Sequence, residues 1–83
     1  MALVKARPIL PAEVYSDPEI LGGMPCVRGT RVPAMTIVAE IRAGSNREDI
    51  FHHYPSLPID GIDAVEKWAV ENGVSLELAP AGQ

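Results

Sequence analysis

Residues 22–33 read Gly-Gly-Met-Pro-Cys-Val-Arg-Gly-Thr-Arg-Val-Pro, a stretch that combines turn-forming residues, a short apolar run and two arginines. The glycines at both ends of the apolar run take positive φ angles without penalty, so the chain can reverse on either side of residues 25–27. We expect an extended piece there, with Arg28 and Arg31 flanking a tight surface turn. The stretch holds no catalytic group, which favours a binding module over an enzyme.

Two helices are predicted directly downstream. Apolar residues recur at the spacing of one helical face between residues 34 and 43, and Gly44 follows where a C-terminal cap needs positive φ. Ser45 and Glu48 then fit a capping box, in which the serine hydroxyl accepts from a backbone amide and the glutamate reaches back. The second helix is therefore expected to start at Ser45 and to stop at Pro55.

A third helix is expected between Pro58, which suits a first helical turn, and Gly73. Its apolar stripe comprises Ile59, Ile62, Val65, Trp68 and Ala69. The buried side of the second helix comprises Ile50, Phe51 and Tyr54. Because residues 13–16 and 25–33 contain short extended pieces, the fold class is predicted as mainly α: a helix-turn-helix bundle of three helices preceded by a short β element.

The domain organisation follows from the same reading. Residues 1–12 contain two prolines and no helical period, so they are expected to form an extended N-terminal arm. Residues 13–73 form the single helix-turn-helix domain, and residues 74–83 form a short C-terminal tail. A chain of 83 residues buries only about 60–65% of its unfolded surface, which makes a homodimer or a bound partner the expected source of extra stability.

Composition excludes several classes of protein. The chain is 47% hydrophobic and 22% charged, as is ordinary for a folded domain, and no apolar run approaches the roughly 18 residues of a membrane span. The N-terminus lacks a signal-peptide core, and Cys26 has no second cysteine to pair with. We therefore expect a cytoplasmic protein without membrane contact.

Charge is distributed unevenly along the chain. Residues 1–47 carry six basic and four acidic side chains, whereas residues 48–83 carry one basic and seven acidic side chains. A nucleic-acid ligand would have to meet the first half. The second half suits a basic partner, or simply keeps the domain soluble. Its candidate partner-facing acids are Asp60, Asp63, Glu66 and Glu71.

Catalytic and metal sites are not expected. His52 and His53 are adjacent, so on a helix they point about 100° apart and cannot share one metal ion as residues four apart would. Cys26 lies between Pro25 and Val27 and is predicted to be a small buried hydrophobe. Trp68 falls in the apolar stripe and is predicted to be core. No cofactor is predicted.

The arginines carry the sharper binding hypothesis. A Gly-Thr-Arg turn offers amides, a hydroxyl and a guanidinium to a phosphate or a carboxylate, and the alternative is that one arginine bonds nearby groups and holds the turn. The candidate contacts to DNA or another anion are Arg28, Thr30, Arg31, Arg42 and Arg47. Asp60 and Asp63 at the start of the third helix would oppose phosphates, so charge weakens the case for DNA.

Four segments together carry a resemblance to a known family. They are residues 17–25 (DPEILGGMP), 28–33 (RGTRVP), 43–44 (AG) and 54–57 (YPSL). In this order and spacing the chain resembles, over about residues 13–72, the bacterial family called domain of unknown function 433, which includes VapB-type antitoxins.

The resemblance implies a homeodomain-like fold of three helices, commonly dimeric, partnered with a PIN-like ribonuclease toxin and with operator DNA. It places Arg28, Thr30 and Arg31 on the signature turn of the family and implies no catalytic residue. The leading hypothesis is thus a non-enzymatic antitoxin-like protein. The alternative is a stand-alone dimeric interaction or structural module that binds neither DNA nor a toxin.

Overall fold

The computed structural model describes residues 12–79. The predicted N-terminal arm lies outside the described residues apart from Ala12, and so does the end of the predicted tail. The described chain contains two short strands, one 3-10 turn at Leu21–Gly23 and three helices. The strands are β1 (Val14–Tyr15) and β2 (Cys26–Val27), and the helices are α1 (Ala34–Arg42), α2 (Arg47–His53) and α3 (Gly61–Glu71).

The β element is a two-stranded antiparallel sheet in which Val14 pairs with Val27 and Tyr15 with Cys26. Cys26 also forms an antiparallel bridge to Pro33. Between these pairings the chain reverses through the Val27–Thr30 turn, where the Thr30 amide donates to the Val27 carbonyl at 3.0 Å and Gly29 has a φ of 82°. The predicted strand pieces and the reversal at Gly29 are confirmed.

The predicted reversal at Gly22 and Gly23 is also confirmed, and it includes one residue more. Leu21, Gly22 and Gly23 have φ angles of 51°, 66° and 93°, so three successive residues lie in the left-handed region. For leucine this conformation is strained, because its Cβ crowds the following carbonyl oxygen. The Leu21 side chain remains 45% exposed.

Helix α1 matches the prediction, because it ends before Gly44, whose φ is 90°. Helix α2 differs from the prediction at its start. The cap residue is Asn46, whose Oδ1 accepts from the Asp49 amide at 2.8 Å, and the helix begins at Arg47. The capping box of Ser45 with Glu48 is wrong, because the Ser45 hydroxyl donates to Glu40 Oε1 of α1 at 2.7 Å instead.

Helix α3 begins at Gly61, later than predicted. The Gly61 amide donates to the Pro58 carbonyl at 2.8 Å, so Pro58 and Ile59 belong to the turn before the helix. Ile59 is 81% exposed, and its place in the buried stripe was therefore wrong. The predicted end is confirmed, because α3 stops at Glu71 and Gly73 follows with a φ of 69°.

The core draws on β2, the three helices and the connecting residues Val32 and Leu57, and α1 packs directly on α3. Ile37, Ile62 and Val65 are at most 1% exposed, and burying each such side chain contributes about 1.5–3 kcal/mol. Cys26 is 2% exposed, which confirms it as a small buried hydrophobe. The remaining buried core residues are Val27, Val32, Ala34, Val38, Ile50, Leu57 and Ala69.

Phe51, Tyr54 and Trp68 are partly buried and pack against the edge of this core. The fold is therefore mainly helical, with three helices and a two-stranded antiparallel sheet among residues 12–79. None of the helices in this part of the chain is both long and apolar enough to cross a membrane.

Candidate binding surfaces

Arg28 is held against β1. Its Nη1 atom donates to Glu13 Oε2, and its guanidinium carbon lies 5.6 Å from the centroid of the Tyr15 ring, within the range of a cation–π contact. The Arg28 amide also donates to the Glu13 carbonyl at 2.8 Å. Side chain and backbone thus fasten the Val27–Thr30 turn to the first strand.

The Thr30 hydroxyl forms its hydrogen bonds within the same turn. Its Oγ1 donates to the Val27 carbonyl at 2.7 Å and accepts from the Val32 amide at 3.0 Å. A ligand at this turn would therefore meet little of the threonine. Arg31 is exposed and has no ion-pair partner within residues 12–79, whereas Arg28 is exposed but paired with Glu13.

The two arginines beyond the turn face other parts of the fold. Arg42 lies in the last turn of α1 and donates to the Ser75 carbonyl at 3.4 Å. Arg47, the first residue of α2, donates to Asp63 Oδ1 of α3 at 3.1 Å. Arg28, Arg42 and Arg47 therefore each bond to a different segment of the described chain.

The four candidate acids separate into two groups. Asp60 turns toward the start of the described chain, where its Oδ2 accepts from the Ala12 amide at 2.8 Å. Asp63, Glu66 and Glu71 lie on α3, and Val70 beside them is 75% exposed. We call Asp63, Glu66, Val70 and Glu71 the α3 face. Sequence reasoning missed its apolar member, because Val70 was not placed in any stripe.

A cleft of about 190 Å³ opens between the beginning of the described chain and the C-terminal half of α3. Trp68 forms a half-buried aromatic wall, and Lys67 and Glu71 lie on the helix side. Glu13, which holds Arg28, lies on the strand side. Ala12, Val14 and Ala64 complete its lining. The sequence predicted Trp68 as core, and its indole does pack on the core while it also lines this cleft.

Glu40 joins α1 to the start and end of α2. It accepts the Ser45 hydroxyl, and its Oε2 lies 3.4 Å from His53 Nδ1. The Ser45 hydrogen bond, followed by the proximity of His53, holds the pKa of the Glu40 carboxyl below its ordinary value of 4.5. Residues 12–79 contain no group of three or more His, Cys, Asp or Glu side chains close enough to hold a metal ion.

Three of these contacts could not be predicted from the sequence. Glu13 and Arg28 are 15 residues apart, Arg47 and Asp63 are 16 apart, and Ala12 and Asp60 are 48 apart. Only the fold brings such distant residues together. Ser45 and Glu40 are five residues apart, and the chain reverses at Gly44 between them. The spacing rules for side chains on one helix do not predict such a contact.

Similarity to known proteins was found at the level of sequence. The uncharacterized protein y4eO of Sinorhizobium fredii (strain NBRC 101917 / NGR234) is 42% identical over 59 residues. The aligned part covers 71% of this chain and 27% of that protein, so the chain spans about a quarter of the length of its relative. No solved structure matched the chain.

The family described as protein of unknown function (DUF433) matches residues 14–69, which run from the first residue of β1 to the last buried residue of α3. This range includes both strands, the Val27–Thr30 turn and all but the end of α3. The chain therefore belongs to the DUF433 family.

Proposed function

We propose that this chain is an antitoxin-like component of a bacterial toxin–antitoxin system, which binds and neutralises a basic PIN-like ribonuclease without catalysing a reaction itself. The observation that carries the proposal is the α3 face, where Asp63 and Glu66, seven and four positions before Val70, share the helix side of a valine that is 75% exposed, and Glu71 follows it. An apolar side chain with carboxylates on the same side of a helix can contribute to a protein-binding surface, whose apolar centre is bordered by polar groups.

The charge of the α3 face sets the kind of partner. Glu66 and Glu71 have no ion pair within residues 12–79, whereas Asp63 is shared with Arg47, and Lys67 lies between them on the helix. The surface is thus moderately acidic. Complementary charge speeds association and excludes wrong partners more than it adds affinity. We assign the affinity to contacts around Val70 and the selectivity for a basic nuclease to the acids.

DNA binding enters as a weaker, toxin-assisted activity. We propose that α2, the 54–60 turn and α3 form a homeodomain-like helix-turn-helix, in which α3 would enter the major groove. Asp63 in the first turn of α3 opposes phosphates, and its pairing with Arg47 removes one cation from that end. Arg31 is an exposed candidate phosphate contact with no ion pair within residues 12–79, whereas Arg28 and Arg47 are paired. We further propose a cytoplasmic homodimer as the acting species.

The test is co-expression of the full chain with the product of the neighbouring gene, followed by size-exclusion chromatography with light scattering and a ribonuclease assay on the eluted complex. We expect a stable complex with suppressed nuclease activity. A complex that retains full nuclease activity would contradict neutralisation, and two proteins that elute separately would contradict the partnership.

A matched pair of double variants locates the interface. Glu66→Gln with Glu71→Gln removes two charges from the α3 face, and Glu48→Gln with Glu77→Gln removes two exposed charges elsewhere. We expect only the first pair to weaken the complex, by about tenfold, since each exposed charge contact contributes about 0.2–1 kcal/mol. Equal weakening by both pairs would show that net charge, not this face, matters.

A stand-alone interaction module is the second candidate, and internal pairing of charge favours it. Two of the candidate DNA-contacting arginines, Arg28 and Arg47, are bound to carboxylates of the same chain. Such a module would elute as a homodimer and would not be retained on promoter DNA. Retention that falls steeply with added salt would count against it, because that dependence reports phosphate contacts.

A further inference from the structure

We infer that the cleft between the beginning of the described chain and α3 receives one arginine side chain of a basic partner. The inference rests on the proposed function, because it assumes that the partner is a basic protein. It adds a defined anchor point that the α3 face alone does not supply. The cleft adjoins the α3 face through Glu71, which belongs to both.

The walls of the cleft match the two surfaces of a guanidinium group. The half-buried Trp68 offers an aromatic ring, on whose face a planar guanidinium stacks. Glu71 at the rim offers a carboxylate, to which the edge of the guanidinium can donate two parallel hydrogen bonds. Ala64 and Val14 are small or apolar and suit the methylene stem of an arginine.

The position of the cleft along α3 also favours a cation. Lys67, Trp68 and Glu71 lie in the second half of an 11-residue helix, near the negative end of its dipole. The last turn of α3 contains no basic residue, and the donors that cap it are neutral, among them the Asn72 side-chain amide, which donates to the Trp68 carbonyl at 2.8 Å. A positive group from outside would therefore gain both from Glu71 and from the helix terminus.

The opposite rim gives a comparison within the same molecule. Glu13 lines the cleft and already binds a guanidinium, that of Arg28, which in turn lies over the Tyr15 ring. A carboxylate, a guanidinium and an aromatic ring thus already meet on the strand side. On the helix side Glu71 and Trp68 provide the carboxylate and the ring, and Glu71 has no ion pair within the described chain.

The charge of Lys67 distinguishes a cationic occupant of the cleft from an anionic one. It lies on the same side of the cleft, so it repels an incoming guanidinium and attracts a carboxylate. If an arginine is the true occupant, loss of the Lys67 charge should strengthen binding. If an acidic side chain is the occupant, the same change should weaken it.

The experiment uses the full chain and the fluorescence of Trp68, which is the single tryptophan of the sequence. The probes are blocked peptides of the form Ala-Ala-X-Ala-Ala, in which X is arginine, its neutral analogue citrulline, or glutamate. We expect the arginine peptide to change the Trp68 emission in a saturable way, and the citrulline and glutamate peptides to bind at least about threefold more weakly.

Three variants assign the contacts. Glu71→Gln should weaken the arginine peptide about threefold, Lys67→Gln should strengthen it by a similar factor, and the control Glu77→Gln, which lies outside the cleft lining, should leave it unchanged. Circular dichroism checks that each variant folds. Equal binding of the arginine and citrulline peptides, preference for the glutamate peptide, or an unchanged affinity in Glu71→Gln would each overturn the inference.

The two proposals fail in different ways. If the co-expressed complex forms but the arginine peptide does not perturb Trp68, the cleft inference is wrong and the antitoxin proposal stands. If the peptide binds as described but no complex forms with the neighbouring gene product, the cleft inference stands and the antitoxin proposal loses its support.

Discussion

Arg47 of α2 donates a hydrogen bond to Asp63 of α3, with Nη1 and Oδ1 3.1 Å apart. The pair joins a residue expected to contact DNA to one expected to face a toxin, so each partly shields the charge of the other. The side chains are 51% and 60% exposed, and such pairs contribute at most about 1 kcal/mol to stability. We therefore expect the pair to matter more for binding than for folding.

Replacing Asp63 by asparagine should release Arg47 and increase retention on DNA. We expect the logarithm of the DNA affinity to fall more steeply with the logarithm of salt concentration, by about one extra phosphate contact. The free energy of unfolding should drop by about 1 kcal/mol or less. Fluorescence anisotropy of a labelled duplex at several salt concentrations measures the first effect, and urea unfolding measures the second. An equal gain in the charge-matched control Glu77→Gln would show that only net charge changed.

The cap of α2 makes a second prediction. Asn46→Ala removes the acceptor of the Asp49 amide and should lower the free energy of unfolding by about 1 kcal/mol, whereas Asn46→Asp keeps an acceptor and should cost much less. Urea denaturation of the three proteins compares these values. Equal stabilities of the alanine and aspartate variants would mean that Asn46 does not cap the helix.

Glu40 predicts how stability depends on pH. Its pKa is lower in the folded protein than the ordinary 4.5, mainly because Ser45 donates to the carboxylate and further because His53 is close. The charged form is therefore favoured by folding. Its contribution is fully present above the ordinary pKa and is lost as the pH falls through the lower folded value.

Glu40→Gln should accordingly flatten the loss of stability on the acid side, below about pH 4.5. Urea midpoints between about pH 2.5 and about pH 6, a window that brackets the ordinary pKa of 4.5, measure this for both proteins. Ser45→Ala should raise the pKa of Glu40, as observed by NMR titration of the carboxyl carbon. An unchanged acid profile in both variants would show that the Ser45 hydrogen bond does not form in solution.

Two substitutions of Leu21 by side chains of similar size should differ in their effect on stability. Both Leu21→Asn and Leu21→Val shorten the side chain, but only asparagine tolerates a φ of 51°, since a β-branched residue clashes there. We expect the valine variant to be about 1–2 kcal/mol less stable than the asparagine variant. Thermal and urea unfolding compare the pair, and equal stabilities would mean that this turn relaxes out of the left-handed region.

Much of the local structure was predictable from the sequence. Hydrophobic spacing placed α1 and most of α3, and glycines with positive φ angles marked the turns at Gly29, Gly44 and Gly73, because only glycine enters that region without strain. The start of α2 was missed by two residues. Two residues able to cap, Ser45 and Asn46, stand side by side, and the choice depended on whether the serine found a partner elsewhere.

The binding surfaces were predictable as a set of charges but not as an arrangement. The sequence counted Asp60 and Asp63 together as outward acids, yet one accepts from Ala12 and the other from Arg47. Arg28 is likewise committed to Glu13. Hydrogen bonds and ion pairs between residues far apart in the chain depend on how the strands and helices pack. They cannot be predicted from residue types alone.

The sequence alone determined that this chain would form three helices after a short β element, because periodicity and turn residues act within a few positions of each other. Only the tertiary structure decided that Ile59 is solvent-exposed while Val65 is fully buried, and which charges remain open to a partner. The physical reason is range: local sterics and hydrogen bonds are encoded in neighbouring residues, whereas burial and ion pairing depend on groups that meet only after the chain has folded.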